Sequence, residues 1–282
     1  MSPLWHDEIG AYLSPHRVCL VRMQRGVRPK PIAEHEQALE SAHAGGWSAP
    51  LDALEALLTQ PDWQGAHLRV VLADHWARYA IVPWAAALSS TGEQLAHARQ
   101  LLTSIYGEVV SDWDLRLSQT PPQTARVVCT IPVALLEGIR AACAKHAVKL
   151  TSLQPQLIAA YEAWRHRLPP SNAWFVTVEQ GSLAAARIGQ HGWDRVHSVR
   201  IGSDWTRELK RLQTFGRLAS NLPEEGQVFV DAPHAWREVA AGAAGASAAG
   251  ASAAAGGLHW LEEEGGPMTT LQRLVRARRL AA

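Results

Sequence analysis

The sequence predicts an α/β protein built as two lobes. Three observations carry that expectation. The chain has 282 residues, above the usual size of a single core, so two separate cores are expected. Short apolar runs bounded by Gly, Pro and Asp alternate with stretches of helical period. The order of elements in the second half is met again, more loosely, in the first.

In the first half, residues 9–13 form a short apolar run, Ser14-Pro15-His16 turns the chain, and residues 18–23 return, which reads as a β-hairpin. Residues 26–50 mix Gly, Pro and charge without a period and read as a loop or weak strand. Leu51, Leu54, Leu57 and Leu58 recur at helical spacing, and Pro61 stops that helix. Residues 68–73 have a buried-strand pattern, and Asp74-His75 turns into a second strand over 76–82, ended by Pro83. From Gly92 the spacing is helical again, with Leu95, Ala98, Leu102 and Ile105 on one face and Gly107 placed to cap its end. Residues 109–117 alternate as an edge strand does. Residues 126–131 read as a buried strand, and Pro132 suits the first turn of a helix whose inner face is Leu135, Leu136, Ile139 and Cys143. A strand over 148–153 and a helix carrying Leu157, Ile158, Tyr161 and Trp164 follow. Pro169-Pro170 marks the boundary. The first lobe is thus 1–168, with a strand–helix–strand subdomain inserted at about 75–117.

The second lobe, 169–282, is more regular. Strands over 174–178, 183–188 and 195–201 are joined by turns at Gln180-Gly181 and 189–192. Ser203 or Asp204 caps a helix that turns Trp205, Leu209 and Leu212 inward. Residues 227–230 are a buried strand. Residues 240–257 are Ala, Gly and Ser alone and read as a flexible loop. A last short strand at 258–261 precedes a helix opened by Pro267 with Met268, Leu271, Leu274 and Val275 inward. Three antiparallel strands feeding alternating helices is the ribonuclease-H-like order that each half of an actin-like protein repeats.

Composition narrows the function classes. The formal net charge is +1, which argues against a nucleic-acid binder, whose footprint is a strong basic excess. No run approaches the roughly 18 apolar residues of a membrane span, and residues 1–10 lack the basic-then-apolar layout of a secretory signal. Cys19, Cys129 and Cys143 are too few and scattered for a disulfide framework or zinc site. A cytoplasmic location is expected. Twelve tryptophans should serve mostly as core anchors, with a minority on an interaction surface.

In this order a nucleotide would sit between the lobes, its phosphates against two hairpin turns. Each turn then needs small residues, so that N–H groups approach the phosphates, and a carboxylate to place a metal's waters. The first hairpin has no acid near its turn. It carries Tyr12 where an aspartate is wanted, and Pro15 removes a donor; Ser14 is its one relic candidate. The second keeps Glu179 and Gly181. There Glu179 is either a relic of a metal role or, on the plainer reading, a solvated turn acid. The late strand ends Asp231-Ala232-Pro233-His234 instead of in a glycine pair. No Gly-x-x-x-x-Gly-Lys stretch occurs, nor Gly-x-Gly-x-x-Gly after a strand. Thirteen histidines include no His-x-x-x-His pair, and Glu34-His35-Glu36 reads as a solvated face. Gly181-Ser182 and Gly202-Ser203 lack the flanking glycine of a nucleophile elbow. Cys143 with His146 reads as structural. Arg273, Arg276, Arg278 and Arg279 read as cations favoured at a helix C-terminus. No catalytic residue, metal site or cofactor is expected, ATP and Mg²⁺ included.

Residues 70–84, with Arg78-Tyr79 and Pro83-Trp84, resemble a segment of the PilM-like type IV pilus assembly proteins. The cytoplasmic domain of the type II secretion L protein (GspL) has a comparable one. Ala98-Arg99, Tyr106-Gly107, Leu153-Gln154-Pro155 and the hairpin over 174–188 extend the similarity to about 5–235. The resemblance implies an actin-like fold on the cytoplasmic side of a pilus or secretion platform. It implies nucleotide binding and a grip on the short cytoplasmic tail of a PilN-like membrane protein on one side of the family. On the other it implies a membrane span and contact with the secretion ATPase. The missing phosphate-loop residues depart from the first, and the missing membrane helix departs from the second. The expectation is a non-catalytic adaptor, peripheral at the inner membrane through its partner. The alternatives are an active actin-like ATPase or kinase relative, and a purely structural scaffold. A tail would dock most cheaply as an added strand beside a sheet edge. Arg78, Tyr79, Trp84 and Trp113 in the inserted subdomain are the candidate partner-binding residues, with core packing the role of at least half of them.

Overall fold

Apolar runs broken by Gly, Pro and Asp resolve, among the described residues, into thirteen strands and five α-helices. The structure is a computed structural model and describes residues 6–24, 26, 30–40, 46–88, 90–121, 123–202, 204–218, 226–233, 235–236 and 258–261. In chain order the elements are β1 (Glu8–Ser14), β2 (Arg17–Met23), β3 (Pro31–Ala38), α1 (Ser48–Leu58), β4 (His67–Leu72), β5 (Arg78–Val82) and α2 (Thr91–Tyr106). There follow β6 (Trp113–Leu117), β7 (Arg126–Pro132), α3 (Val133–Lys145), β8 (Lys149–Pro155) and α4 (Gln156–Trp164). The last are β9 (Ala173–Glu179), β10 (Ser182–Gly189), β11 (Gly192–Arg200), α5 (Trp205–Leu218), β12 (Gln227–Asp231) and β13 (Leu258–Trp260).

The chain forms two compact units. Among the described residues, the first takes those of Met1–Ala77 and Ile131–Ala163 and the second those of Arg78–Thr130 and Trp164–Pro267. In the first unit the sheet order is β3-β2-β1-β4-β8. The β1–β2 and β2–β3 pairs are antiparallel, while β4 joins β1, and β8 joins β4, in parallel. Ile9, Leu13, Leu20, Leu68 and Leu72 are buried in this sheet. Its other face packs Tyr12, Cys19, Val21, Met23, Val71 and Ala73 against Ala159 of α4. The predicted turn at Asp74 has a second task. Buried Asp74 accepts the amide N–H of Leu157 at 3.1 Å, so its carboxylate satisfies an orphan donor at the start of α4.

The second unit repeats the arrangement. Its main sheet runs β11-β10-β9-β12-β13, with β9, β10 and β11 antiparallel and β12 and β13 added in parallel. Every residue of β9 and β10 is buried, and Trp205, Leu209 and Leu212 of α5 cover Val176, Val178 and Val230. A second, three-stranded sheet has the order β5-β7-β6. Here α2 lays Ala98 and Leu102 over Ala80, Val82, Leu115 and Val128. Its start is a reciprocal capping box between Ser90 and Glu93, and Gly107 at φ 79° ends it with its N–H on the Thr103 carbonyl.

Several expectations change. β7 lies centrally in the three-stranded sheet, so the block that begins at Arg78 closes at Thr130 rather than near 117. A buried apolar strand carries no mark of the sheet it will join. Trp164, rather than the diproline at 169–170, is where the chain returns to the second unit. Residues 108–112 form a 3-10 helix, leaving only 113–117 as strand, because Gly107 turns the chain before an extended run starts. Ile105 is 57% exposed and lies off the inner face of α2. Ser203, His234, the loop expected at 240–257, and the helix expected from Pro267 with Arg273, Arg276, Arg278 and Arg279 lie outside the described residues.

Candidate functional site

The first hairpin turn is occupied by its own side chains. In the β1–β2 register Ser14 stands opposite Arg17. Ser14 Oγ accepts the amide N–H groups of Arg17 at 3.1 Å and His16 at 3.4 Å, and donates to the Arg17 carbonyl at 3.1 Å. This is a serine turn in which the hydroxyl takes the donors a phosphate would need. Tyr12 is 4% exposed in the core cluster, with the Arg17 guanidinium 5.5 Å from its ring centroid. A phenol fills the place where a metal-ordering carboxylate is wanted.

The second hairpin is the register counterpart of the first, with Glu179 opposite Ser182. Glu179 is only 5% exposed, which corrects its reading as a solvated turn acid. Its Oε2 accepts from Ser182 Oγ at 3.2 Å. Gly181 supplies the positive φ of 81° that the turn requires, and its carbonyl accepts the Ile201 N–H at 3.1 Å. One strand away, Asp231 ends β12 opposite Thr177 and is 2% exposed. The second unit therefore buries two acids at the strand ends, and Glu179 accepts a hydrogen bond from a serine of its own turn.

The four candidate partner-binding residues separate. Arg78 opens β5 and Trp84 lies past its end, about 20 Å of extended chain away at ~3.3 Å per residue. Tyr79 is 5% exposed and belongs to the core. Trp113 packs on the α2 core and meets Tyr106 edge-on, with ring centroids 5.3 Å apart. Trp84 alone of the four presents a large apolar surface, at 50% exposure.

Trp84 lies on a groove of about 420 Å³ walled by the chain after β5, the start of α2 and the β6–β7 connection. Gln94, Thr120 and Arg126 line it too, and the sequence reading passed over all three. They come from three separate elements, and no local spacing links them.

Among the described residues no group of three or more His, Cys, Asp or Glu side chains is placed to hold a metal ion. Burial pushes the Cys19 thiol up to about 12 and the Cys143 thiol up to about 11, so neither offers a thiolate nucleophile near neutral pH. No described helix is long and apolar enough to cross a membrane.

No protein-family model matches the chain, and no curated protein matches it in sequence. Solved structures do match. A chain of the PilM–PilN type IV pilus biogenesis complex superposes with a TM-score of 0.68 at 13% identity, covering 98% of both chains. The cytoplasmic domain of EpsL, an inner-membrane component of the type II secretion system of Vibrio cholerae, gives 0.56 at 13% identity, covering 98% of this chain and 95% of that one. A Bacteroides thetaiotaomicron protein with an actin-like ATPase fold gives 0.61 at 8% identity, covering 96% and 95%. The fold is actin-like. The two five-stranded sheets of identical order are its repeated ribonuclease-H-like cores, and β5–β7 with α2 is the inserted block of this actin-like chain.

Proposed function

We propose that this chain is a non-catalytic adaptor of a type IV pilus or type II secretion inner-membrane platform. It sits in the cytoplasm and binds the short cytoplasmic tail of a PilN-like membrane protein. The observation that carries the reading is the near-complete superposition on a chain of the PilM–PilN complex. The actin-like fold is kept end to end, while its two hairpin turns are closed by Ser14 with Arg17 and by Glu179 with Ser182. Those closures, together with Tyr12 in the core, support the absence of ATP turnover: in the first turn Ser14 Oγ takes the N–H groups of His16 and Arg17 and no acid stands beside them, and in the second the carboxylate of Glu179 is buried and engaged by Ser182.

An extended tail pairs most economically with a strand edge. β6 is an edge of the inserted three-stranded sheet and starts at Trp113, so it meets that need. The test is retention of the purified chain on an immobilised N-terminal peptide of a PilN-like membrane protein. Retention at micromolar peptide supports the adaptor. No retention, together with hydrolysis of ATP by the same preparation, would overturn it in favour of an actin-like ATPase.

A further inference from the structure

The two five-stranded sheets share one order, yet their matching edges differ. β3 and β11 hold the same edge position. β5 packs against β11, whereas β2 is the one described element with which β3 shares an extended contact. Along β3 only Ala33 and His35 are half-buried, and the other residues are exposed.

One hydrogen bond fixes which backbone groups of β3 face outward. Leu39 donates its N–H to the His16 carbonyl at 2.8 Å. In this antiparallel register Gln37, His35 and Ala33 then turn their amide and carbonyl groups toward β2. Glu34, Glu36 and Ala38 turn theirs away, where no described strand pairs with them. At the other end Ile32 is the extra residue of a bulge opposite Arg22 and Met23. The bulge limits the regular edge to residues 33–38. Such a row of unpaired N–H and C=O groups is a template for another strand.

The side chains decide which strand fits. Glu34 and Glu36 stand opposite Val21 and Cys19 and so share one face of the sheet. Glu36 meets Arg17 at 3.3 Å in a partly exposed pair, and among the described residues Glu34 has no ion pair. A second copy of the chain is the wrong occupant. Pairing two β3 edges antiparallel over five residues sets Glu36 opposite Glu36, or Glu34 opposite Glu36, and like charges directly opposite are destabilising. Opposite charges in those positions attract instead.

From these features we infer that the outer edge of β3 is a docking site for an extended basic strand of a partner protein, with Lys or Arg at alternate positions. Its main chain pairs with the outward groups of Glu34, Glu36 and Ala38. Its cations stand across from the two carboxylates, and the residues between them fall on the face of His35 and Gln37. The site is separate from the β6 edge offered to a PilN-like tail and rests on different observations.

The test uses three fluorescein-labelled peptides. One alternates Lys and Thr, one alternates Glu and Thr, and the third is the Lys–Thr peptide N-methylated at its Lys amides, the groups that would face β3. Each is titrated by fluorescence anisotropy into the wild-type chain, the double variant Glu34→Gln/Glu36→Gln, and Ala38→Pro, with thermal unfolding confirming that the variants fold. Ala38→Pro keeps both acids and removes an N–H that β2 does not use. The Lys–Thr peptide should saturate wild type and the Glu–Thr peptide should not. The double variant should bind the Lys–Thr peptide about tenfold more weakly, and Ala38→Pro and N-methylation should each weaken binding severalfold or more. No saturation by the Lys–Thr peptide at millimolar concentration would overturn the proposal. So would an N-methylated peptide that binds as tightly as its parent, or equal binding to wild type and Ala38→Pro, which would place the peptide elsewhere. Self-association in sedimentation that Ala38→Pro abolishes would overturn it too, by making a second copy the occupant. If Ala38→Pro does not fold, the N-methylated peptide decides. A PilN-like tail that binds Ala38→Pro as well as it binds wild type leaves the adaptor reading untouched.

Discussion

Glu179 and Ser182 face each other across the Gln180-Gly181 turn, with Ser182 Oγ donating to Glu179 Oε2 at 3.2 Å inside a buried strand pair. A buried carboxylate that loses a donor costs about 1–3 kcal/mol. Ser182→Ala should therefore lower unfolding free energy by about that amount, and Glu179→Gln by less, since an amide oxygen still accepts. Urea unfolding monitored by tryptophan fluorescence checks both. A metal role for Glu179 would show instead as Mg²⁺-dependent stabilisation that Glu179→Gln removes; the same titration with and without Mg²⁺ should give coincident curves.

Trp205 anchors the second unit. Its side chain is fully buried, Nε1 donates to the Trp236 carbonyl at 3.1 Å, and its ring meets Trp260 edge-on at 5.9 Å. Trp205→Ala should destabilise the chain by about 3–5 kcal/mol. Trp205→Phe keeps most of the packing and loses the donor, so about 1–3 kcal/mol is expected. The ratio of the two losses, read from denaturant midpoints at constant slope, separates packing from the hydrogen bond.

The three cysteines should behave unequally. With Cys19 raised to about 12 and Cys143 to about 11 by burial, and only Cys129 half-buried, a disulfide reagent at pH 8 should modify no more than one thiol in the folded chain. All three should react once it is unfolded. Rapid labelling of Cys19 in the native state would contradict the packing around Tyr12.

His197 gives stability a pH dependence. Burial first, and then Arg195, lowers its folded-state pKa from 6.5. Both states are neutral well above 6.5, so its contribution is complete there. As pH falls below 6.5 the unfolded chain binds the proton first, and stability is lost until the folded group titrates. His197→Gln should flatten the fall in unfolding free energy between pH 7.5 and 5. An unchanged pH profile would place the dependence elsewhere, His67 included, which is lowered by burial and by His6.

Most of the strands were legible because apolar runs ended at residues with a mechanical reason to turn, such as Ser14, Gly181 and Pro83. The helices were legible through spacing and caps. What was hidden is what forms only when distant segments meet. The sequence around β7 does not say that it pairs with β5. The burial of Glu179 depends on the packing of its sheet rather than on its neighbours in sequence. Of the candidate site, Tyr12 and Glu179 were singled out from the chemistry a phosphate-binding turn needs, and Trp84 from the family resemblance. Gln94, Thr120 and Arg126 were not, because only the fold gathers them on one groove. The same limit scattered Arg78, Tyr79, Trp84 and Trp113, four residues close in sequence or motif whose side chains serve different surroundings.

The adaptor account separates most cleanly from its rivals in one calorimetric series, titrating the full chain with the N-terminal peptide of a PilN-like membrane protein and with ATP·Mg²⁺. The account predicts saturable heat at micromolar peptide and no saturable heat with nucleotide at millimolar concentration. Saturable ATP·Mg²⁺ binding, with no heat from the peptide, would contradict it.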